Sequence, residues 1–431
     1  MLYENNWASL NKRPVPQWFA DAKFGIFIHW GLYSVPSFAR KDRFAEWYKK
    51  HMMLDDGPEK AFHKRVYGNA TYADFVKDFK AELFDADEWA ELFARAGAKY
   101  MNLTSKHHDG FCMFHSPYAW HWNSVDVGPK IDFCAELKKA MDKVGVRFGV
   151  YHSLYEWDHP LYQKDPEEFA VKHLIPMLKD LICRYEPATL FTDGEWDHPS
   201  SVWHAEDFLA WLYNESPVKD YIVPNDRWGK ETRGRLGGNF TTEYGHIGNE
   251  NLTIDEVHDE RPFEECRGIG RSFGLNRAEN AEDYMTSFEL LSLFVDLVSA
   301  GGNLLLNVGP AADGTIPPIQ QERLLQMGRW LSVNGEAIYG SRKYTNCKES
   351  DVKYTKKGDT VYAFVKRFPF GKIVLDKVPF NGALTASLLG SDAPIGTADE
   401  NGSLALLPPA LNPDTVASKE IYVFKLEKAA K

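Results

Sequence analysis

The alternation of short apolar runs with amphipathic segments constrains the fold of this chain more than any other feature. Continuous apolar runs, such as residues 23–28 and 302–308, are typical of parallel strands that are buried on both faces. Between such runs, residues 85–96 and 132–144 carry apolar side chains at helical spacing and are followed by glycine. About eight strands alternating with helices predict a (β/α)8 barrel. A doubly wound open sheet is less favoured, because no glycine-rich phosphate loop follows the first strand.

The predicted elements cover the first 340 residues, and the pattern changes after them. The predicted strands are residues 23–31, 99–104, 146–151, 189–193, 221–223, 302–310 and, with a weaker signal, 239–243 and 267–273. The predicted helices are residues 85–96, 132–144, 166–185, 205–214, 281–300 and 319–333. From residue 341 onward, short β-prone runs stand between Gly-, Pro- and Asn-rich turns, which is typical of antiparallel sheets. We therefore expect a catalytic barrel over residues 1–340 and a small C-terminal β-sandwich over residues 341–431.

Composition excludes several partners. The formal net charge of −11 argues against binding to nucleic acid or to an anionic membrane surface. No apolar run is long enough to span a membrane, and residues 1–6 lack the basic and apolar regions of a signal peptide. We therefore expect either a cytoplasmic protein or a secreted protein whose leader has been trimmed. Five cysteines without a CxxC pair argue against a disulfide framework or a structural zinc site, and the sequence leaves a homo-oligomer open.

Polar side chains stand where the predicted strands end. These residues are His29, His107, His108, Tyr151, Asp193, Asp226, Arg227, Glu243 and Asn307. In a barrel all these strand ends lie on one rim, so residues far apart in the sequence converge on one pocket. Two of them have simpler explanations, since Asn307 before Val-Gly-Pro is expected to form a turn and Asp226 to orient its neighbours.

The chemistry that fits these side chains best is glycosidic cleavage by two carboxylates. Such cleavage needs one ionised carboxylate and one acid that still holds its proton. Asp193, where an apolar strand ends, is the predicted nucleophile, although an Asp in such a loop can also simply cap a helix. The acid has three candidates: Glu243, Glu264 and Glu195. A metal site is disfavoured because there is no HxH or HExxH spacing, and a serine hydrolase because there is no GxSxG motif.

At these residues the chain resembles glycoside hydrolase family 29, the retaining α-L-fucosidases. The matching segments are residues 23–36, 46–48, 106–111, 148–151, 193–196, 225–229 and 301–310. Together they span roughly residues 14 to 340, and in combination they are highly specific. The segment from about residue 345 resembles the family's β-sandwich only in its pattern of short β-prone runs and turns. One departure is Phe191, where the family often has Trp two residues before the nucleophile.

The resemblance implies a role for each matching residue. Asp193 would attack the anomeric carbon and form a covalent fucosyl-enzyme. Glu243 would be the acid/base, with Glu264 as the alternative. Phe273 would contact the C5 methyl group of the sugar. The remaining residues implied to line the fucose pocket are His29, Glu46, Trp47, His107, His108, Tyr151 and Arg227. No metal or organic cofactor is implied.

The sequence thus predicts an exo-acting retaining hydrolase that removes terminal α-L-fucose from a fucosylated oligosaccharide or glycoconjugate. Retention requires the two carboxyl groups to lie about 5 to 5.5 Å apart. A fucose-binding, lectin-like protein on an inactive hydrolase scaffold is the alternative from another class. A transfucosidase is a further alternative, because water and a sugar hydroxyl compete for the same intermediate.

Overall fold

The computed structural model describes residues 2–54, 57–246, 262–345 and 351–428, and a closed parallel sheet forms its centre. The strands of this sheet are β1 (Phe24–Ile28), β2 (Tyr100–Lys106), β3 (Arg147–Ser153), β4 (Thr189–Asp193), β5 (Val223–Pro224), β6 (Phe240–Glu243), β7 (Phe263–Gly268) and β8 (Asn303–Val308). Neighbouring strands pair in parallel in the order β5-β4-β3-β2-β1-β8-β7-β6. A parallel bridge between Asn225 and Asn239 joins the ends of β5 and β6. The predicted (β/α)8 barrel is therefore confirmed.

Helices connect the strands of the barrel. Among the described residues the α-helices are α1 (Trp7–Leu10), α2 (Gln17–Ala22), α3 (Tyr48–Met52), α4 (Pro58–Tyr67), α5 (Ala86–Ala96), α6 (Phe133–Val144), α7 (Pro160–Lys164), α8 (Pro166–Phe169), α9 (Ile175–Tyr185), α10 (Ala205–Asn214), α11 (Ser287–Ala300) and α12 (Pro318–Asn334). The ends of α5 show why these segments form helices. The Asp85 carboxylate accepts hydrogen bonds from the first backbone N–H groups, and Gly97 adopts the left-handed conformation that ends the helix.

Two predicted helices differ in detail from the structure. The helix predicted over residues 166–185 is present, but a π-helical turn over Ala170–Leu174 lies between α8 and α9. Pro176 lacks the N–H group that an unbroken α-helix would need at that position. The helix predicted from residue 281 begins only at Ser287, where Thr286 and Glu289 form a reciprocal capping box.

The seventh strand also differs from its prediction. We expected it at residues 267–273, but β7 covers Phe263–Gly268. Glu264 and Glu265 stand side by side in this strand, and both are buried. Two adjacent acidic residues hide the apolar pattern from which strands are recognised, and this explains the error.

The end of the barrel where the strands begin is filled by aromatic rings. Phe19, from α2, packs against Tyr100, the first residue of β2, with ring centroids 5.4 Å apart. Gly25 of β1 leaves space for the Tyr100 ring, since a Cβ atom on this residue would lie 2.5 Å from it. Nearer the carboxyl ends, Phe27 packs against Phe191 at 5.1 Å between ring centroids. These rings close the barrel from below, so a cavity can open only at the carboxyl ends of the strands.

Two antiparallel sheets follow the barrel, as the sequence predicts. Their strands are β9 (Arg342–Lys343), β10 (Val352–Lys357), β11 (Thr360–Val365), β12 (Ile373–Pro379), β13 (Thr385–Leu388), β14 (Gly396–Glu400), β15 (Ser403–Leu407) and β16 (Tyr422–Glu427). One sheet has the order β13-β16-β11-β10-β9 and the other the order β12-β15-β14. Both contribute to one apolar core, for example through Phe424 and Leu375. The predicted β-sandwich is confirmed, although β13, β14 and β15 were not predicted. The division of the chain at residue 340 stays a prediction.

Two further features bear on the predictions from composition. Within the part of the chain that the structure describes, no helix has the length and apolarity needed to cross a membrane. Cys112, Cys134, Cys183 and Cys266 are free thiols. The fifth cysteine, Cys347, lies outside the described residues.

Candidate active site

A pocket of about 130 Å³ lies at the carboxyl ends of the barrel strands. We call it the central pocket. Its lining residues are Phe27, His29, Phe44, Glu46, Trp47, His107, Tyr151, Phe191, Asp193, Trp196, Arg227, Glu243, Cys266 and Phe273. They come from strands β1, β3, β4, β6 and β7 and from segments that follow strands. The barrel therefore brings together residues that lie more than two hundred positions apart in the sequence. It places them at the end where barrel enzymes hold their reacting groups.

Asp193 is the last residue of β4 and reaches this pocket with both carboxylate oxygens bonded. Oδ1 accepts a hydrogen bond from Nη1 of Arg227 at 2.6 Å, and Oδ2 accepts one from the Tyr151 hydroxyl at 2.9 Å. Desolvation by burial raises the pKa of Asp193. The positive charge of Arg227, the nearby His108 and the hydrogen bond from Arg227 together lower it by more, so the net pKa lies below the usual value. Asp193 is therefore a carboxylate at neutral pH.

Glu243, the last residue of β6, is bonded to the same guanidinium group. Its Oε2 atom accepts a hydrogen bond from Nη2 of Arg227 at 3.1 Å and lies 3.6 Å from Nη2 of Arg233. The Glu243 side chain is 27% exposed, whereas Arg227 is buried. Glu243 therefore stands toward the opening of the pocket and Asp193 deeper inside it.

Arg227 is held in place from three sides. Its Nε atom donates to the Thr241 hydroxyl at 3.1 Å, and Nη2 also lies 3.7 Å from the Cys266 sulfur atom. The guanidinium carbon stands 4.8 Å from the centre of the Phe191 ring, a cation–π contact. Asp226, beside it, accepts hydrogen bonds from Thr241 and from a backbone N–H group, consistent with the predicted orienting role. The Arg227 guanidinium group, which bridges Asp193 and Glu243, is thus held in place by the protein itself.

His29 is oriented by Asn307 of β8. Asn307 donates through Nδ2 to the Phe273 carbonyl oxygen at 2.6 Å, so its Oδ1 atom accepts from Nδ1 of His29 at 2.7 Å. Burial lowers the pKa of His29 to about 3, which keeps the ring neutral and leaves Nε2 as an acceptor. The prediction that Asn307 forms a turn was wrong, because this residue lies within β8 and positions two residues of the pocket.

The adjacent histidines take different places. His107 lines the pocket, and its Nδ1 atom is buried without a hydrogen-bond partner among the described residues. A ligand hydroxyl can satisfy this atom. His108 stands behind Asp193, with Nδ1 bonded to Ser153 at 2.6 Å and Nε2 located 3.7 Å from the Asp193 carboxylate. Burial lowers the pKa of His108 to about 4, so the ring is neutral at pH 7.

Glu46 and Trp47 come from the segment that follows β1. Oε2 of Glu46 accepts hydrogen bonds from the Gly274 backbone N–H at 2.8 Å and from the Ser272 hydroxyl at 3.2 Å. Burial raises the pKa of Glu46 to about 8, so this side chain is mostly a neutral acid at pH 7 and can donate a hydrogen bond. Trp47 stacks against Trp196 with ring centroids 5.9 Å apart, and both rings line the pocket.

One wall of the central pocket is apolar. Phe273 is buried and packs against His29 at 4.8 Å and against Phe44 at 5.7 Å between ring centroids. Phe27 lies on the far side of Phe273 at 6.3 Å. This wall faces a pocket that otherwise carries hydrogen-bonding groups, so a ligand with one apolar substituent among several hydroxyls fits it.

Of the two other acid candidates, Glu264 lies away from the central pocket, whereas Glu195 lies near enough to Asp193 and Arg227 for their charges to affect its pKa. Glu264 is in register with Asn303, the first residue of β8, and accepts a hydrogen bond from Tyr100, the first residue of β2, at 2.5 Å. It therefore lies inside the barrel near the start of the strands, away from the central pocket. Glu195 is buried, and its Oε2 atom has no hydrogen-bond partner among the described residues. Burial raises the pKa of both residues to about 7.

Beside the pocket, one group of side chains has the composition of a metal site. Glu156, His159 and His173 offer ligand atoms that all lie within 4.8 Å of one another. However, Nζ of Lys106 already bonds Oε2 of Glu156 at 2.8 Å, and Nε2 of His173 approaches the same oxygen at 3.2 Å. A metal ion bound here would share its carboxylate with a buried ammonium group that repels it, which makes the group a poor cation site.

Sequence reasoning missed several lining residues. Phe27, Phe44 and Cys266 line the pocket but were not predicted. The strand period carried a signal for two of them, since Phe27 and Cys266 alternate with residues that face outward from β1 and β7. Phe44 precedes Glu46 in an irregular segment, where no periodicity applies.

The site and the fold together define a class of enzyme. A (β/α)8 barrel that holds two carboxylates on one guanidinium, beside aromatic and hydroxyl-binding side chains, is the arrangement of a glycoside hydrolase. A family model described as "Alpha-L-fucosidase" matches residues 1–336. The chain therefore belongs to the α-L-fucosidases, glycoside hydrolase family 29, in agreement with the resemblance of the sequence motifs.

Individual relatives agree with this assignment over nearly the whole chain. An α-L-fucosidase of Dictyostelium discoideum is 42% identical over 404 residues, which cover 90% of this chain and 86% of that one. Human tissue α-L-fucosidase is 40% identical over 438 residues, covering 98% and 91% respectively. The crystal structure of Thermotoga maritima α-fucosidase with a mechanism-based inhibitor superposes with a TM-score of 0.85 at 35% identity, covering 99% of this chain and 100% of that one.

Proposed function

We propose that this α-L-fucosidase releases terminal α-L-fucose from fucosylated glycans with retention of configuration, by double displacement. The observation that carries the proposal is the Arg227 guanidinium, which holds Asp193 at 2.6 Å and Glu243 at 3.1 Å in one pocket. Retaining enzymes need one carboxylate against the sugar ring and another beside the leaving oxygen. The deeper Asp193 and the more exposed Glu243 suit these two positions.

In the first step Asp193 is the nucleophile. One of its oxygens bonds to the anomeric carbon while the bond from that carbon to the glycosidic oxygen breaks. The leaving oxygen takes its proton from the Glu243 carboxyl group. Arg227 and the Tyr151 hydroxyl hold the Asp193 carboxylate in position, so little reorganisation is needed during the attack. The product of this step is a fucosyl ester of Asp193.

In the second step Glu243 acts as the base. Its carboxylate accepts a proton from a water molecule, and the water oxygen bonds to the anomeric carbon as the ester bond to Asp193 breaks. Two inversions at the same carbon return the α configuration. Glu243 is protonated again and Asp193 is again a carboxylate, so both groups are ready for the next substrate.

Selectivity for fucose rests on the contrast between the apolar wall and the polar remainder of the pocket. The wall around Phe273 suits the C5 methyl group, the one apolar substituent of the fucose ring. Nε2 of His29, Nδ1 of His107 and the neutral carboxyl group of Glu46 are available for the sugar hydroxyls. Trp47 and His108 complete the proposed binding set, the second of these through its position behind Asp193.

The dimensions of the pocket support action at chain ends. A volume of about 130 Å³ accommodates a single sugar ring, and packed aromatic side chains close the pocket from below. A sugar inside a longer chain would need a second exit for its other neighbour. We therefore propose exo-acting cleavage.

A proton NMR time course tests the proposal. With 4-nitrophenyl α-L-fucoside as substrate, α-fucose is expected to appear before the β anomer forms by mutarotation. Early β-fucose would mean inversion and would remove Asp193 as the nucleophile. Fucose binding without any turnover would favour the lectin-like alternative, and accumulation of fucosylated acceptors instead of free fucose would favour the transfucosidase.

A further inference from the structure

A second, larger cavity opens beside the central pocket. Its volume is about 450 Å³, against about 130 Å³ for the central pocket. We call it the side cavity. All its lining residues belong to the segments that follow β1, β2 and β3, represented by Lys49, Trp120 and His159. Because segments that follow strands lie at the carboxyl end of a barrel, the side cavity shares the catalytic face with the central pocket.

Aromatic rings line part of the side cavity, and one of them is highly exposed. Trp120 is 76% exposed, although burial of a tryptophan ring would stabilise the fold. Tyr118, two residues earlier, also lines the cavity. Trp122 is fixed, because its Nε1 atom donates to the Asp109 carbonyl oxygen at 3.0 Å. Flat rings at the edge of a water-filled cavity offer the surface on which the apolar face of a pyranose ring packs.

The charged groups of the side cavity are already paired. Lys49 contacts the Asp158 carboxylate at 2.6 Å, and Lys106 contacts the Glu156 carboxylate at 2.8 Å. The third carboxylate, Asp109, accepts a hydrogen bond from the Tyr72 hydroxyl at 2.7 Å. Two of the three carboxylates are thus neutralised by ammonium groups and the third is hydrogen-bonded, so the cavity offers donors and acceptors with at most one uncompensated negative charge. A neutral ligand with several hydroxyl groups fits this environment better than an ion does.

Trp157 connects residues of the side cavity with residues of the central pocket. Trp157 stands between Glu156 and Asp158, which both line the side cavity. Its ring packs against Trp47 of the central pocket at 5.3 Å between ring centroids, and its backbone N–H donates to the His108 carbonyl oxygen at 2.9 Å. The two cavities are therefore neighbours on the same face.

We propose that the side cavity binds a neutral pyranose residue from another branch of the same glycan whose terminal fucose occupies the central pocket. This inference rests on the proposed function and extends it, because it makes the preferred substrate a branched oligosaccharide rather than a simple fucoside. Trp120 would pack on the apolar face of the bound ring, and Lys49 and Asp158 would bond its hydroxyls.

The test compares two substrates in two variants. Trp120→Ala removes the exposed ring of the side cavity, and the matched control, Phe370→Ala, removes an aromatic ring that is 81% exposed in the sandwich. For each protein kcat/KM is measured with 4-nitrophenyl α-L-fucoside and with a fucosylated biantennary oligosaccharide. The ratio of the oligosaccharide value to the fucoside value is expected to fall about 5- to 10-fold in Trp120→Ala, the loss of one aromatic contact. It should keep its wild-type value in Phe370→Ala.

A binding measurement separates this inference from the proposed function. The defucosylated biantennary oligosaccharide is titrated into the wild-type protein and into Trp120→Ala, with binding followed by line broadening of the sugar signals in proton NMR. Binding by the wild type that weakens in the variant supports the side cavity even if no fucoside is hydrolysed. Hydrolysis of the fucoside with an unchanged substrate ratio and unchanged binding overturns it. A metal site would replace the proposed sugar site if Zn²⁺ binds to the wild type but not to His159→Ala, and if the oligosaccharide shows no binding.

Discussion

The central pocket and the side cavity both hold carboxylates beside cations, but the carboxylates share these cations differently. In the central pocket Arg227 serves Asp193 and Glu243 together. In the side cavity Lys106 pairs with the buried Glu156, and Lys49 pairs with Asp158, which is exposed. A shared cation lets one carboxylate change its covalent or protonation state while the other keeps a partner. A carboxylate with a cation of its own is already satisfied, and altering it costs stability. The difference indicates that burial and charge alone do not identify reacting groups.

Removing Asp193, the proposed nucleophile, should give the largest effect. Asp193→Ala is expected to lower kcat for 4-nitrophenyl α-L-fucoside by about 10⁴-fold or more, because no covalent intermediate can form. Added azide should occupy the vacated space and restore turnover, yielding β-fucosyl azide that NMR identifies. A loss of only a few fold, or azide rescue that gives the α product, would contradict the assigned role.

Replacing Glu243, the proposed acid/base, should lower the activity almost as much when the leaving group is poor. Glu243→Gln is expected to lower kcat/KM for a fucosylated disaccharide by about 10²- to 10⁴-fold, and to affect the nitrophenyl substrate less because that group needs little protonation. Azide should here attack the fucosyl-enzyme and give α-fucosyl azide. Glu264→Gln is the matched control, since Glu264 lies near the start of the barrel strands, and it should change these rates only a few fold. The opposite ranking of the two variants would make Glu264 the acid/base.

Breaking the buried Lys106–Glu156 pair of the side cavity should lower the stability of the fold. Glu156→Gln leaves the Lys106 ammonium group buried without its counter-charge and is expected to lower the free energy of unfolding by about 3 kcal/mol. Urea denaturation at pH 7 measures this change. The double variant Lys106→Met/Glu156→Leu removes both charges and should recover most of the loss. If the double variant is as unstable as the single one, the pair is not the cause.

The same variant has a pH signature. Burial raises the pKa of Glu156, but Lys106 and His173 outweigh it, and the net pKa lies below its usual value. The stabilisation by the carboxylate is therefore present above the unfolded-state pKa of about 4.3 and is lost as the pH falls toward the folded-state pKa. The stability gap between the wild type and Glu156→Gln should narrow below about pH 4. A gap that widens there would contradict the sign of the shift.

Shortening a side chain of the apolar wall should give the smallest loss of activity, and this loss should depend on the substituent at C5 of the sugar. Phe273→Ala is expected to lower the preference for α-L-fucoside over α-L-galactoside, which carries a hydroxymethyl group in place of the C5 methyl group, by about 10-fold. The ratio of the two kcat/KM values measures this preference independently of any loss of folded protein. An unchanged ratio would place the methyl group against another part of the pocket.

Much of the site could be predicted because strand ends in a barrel share a rim. The predicted His29, His107, Tyr151, Asp193, Arg227 and Glu243 all line one pocket. What sequence could not supply was the pairing of side chains. Nothing in the sequence says that one guanidinium spans two carboxylates, or that Asn307 bonds His29 and the backbone of Phe273. Such contacts depend on register between distant strands, which local patterns do not encode.

The limits of fold prediction have equally physical causes. The position of β7 was predicted wrongly because two acidic residues interrupt the apolar pattern. The π turn between α8 and α9 was not predicted, and it lies next to Pro176, which has no N–H group to donate. In the sandwich, β14 (Gly396–Glu400) has mostly exposed side chains and contributes little apolar alternation. Short edge strands of this kind are specified by their neighbours rather than by their own residues.

The closed floor of the central pocket has a consequence for the order of events in catalysis. Phe19 and Tyr100 fill the barrel below Phe27 and Phe191, so the pocket has a single opening. The released alcohol must leave through the same opening by which water arrives, and water therefore enters only after the first product has gone. Together with the proposed covalent fucosyl-enzyme, this order of events predicts ping-pong kinetics. Free fucose, which must also leave by that opening, should compete with incoming substrate as a simple product inhibitor.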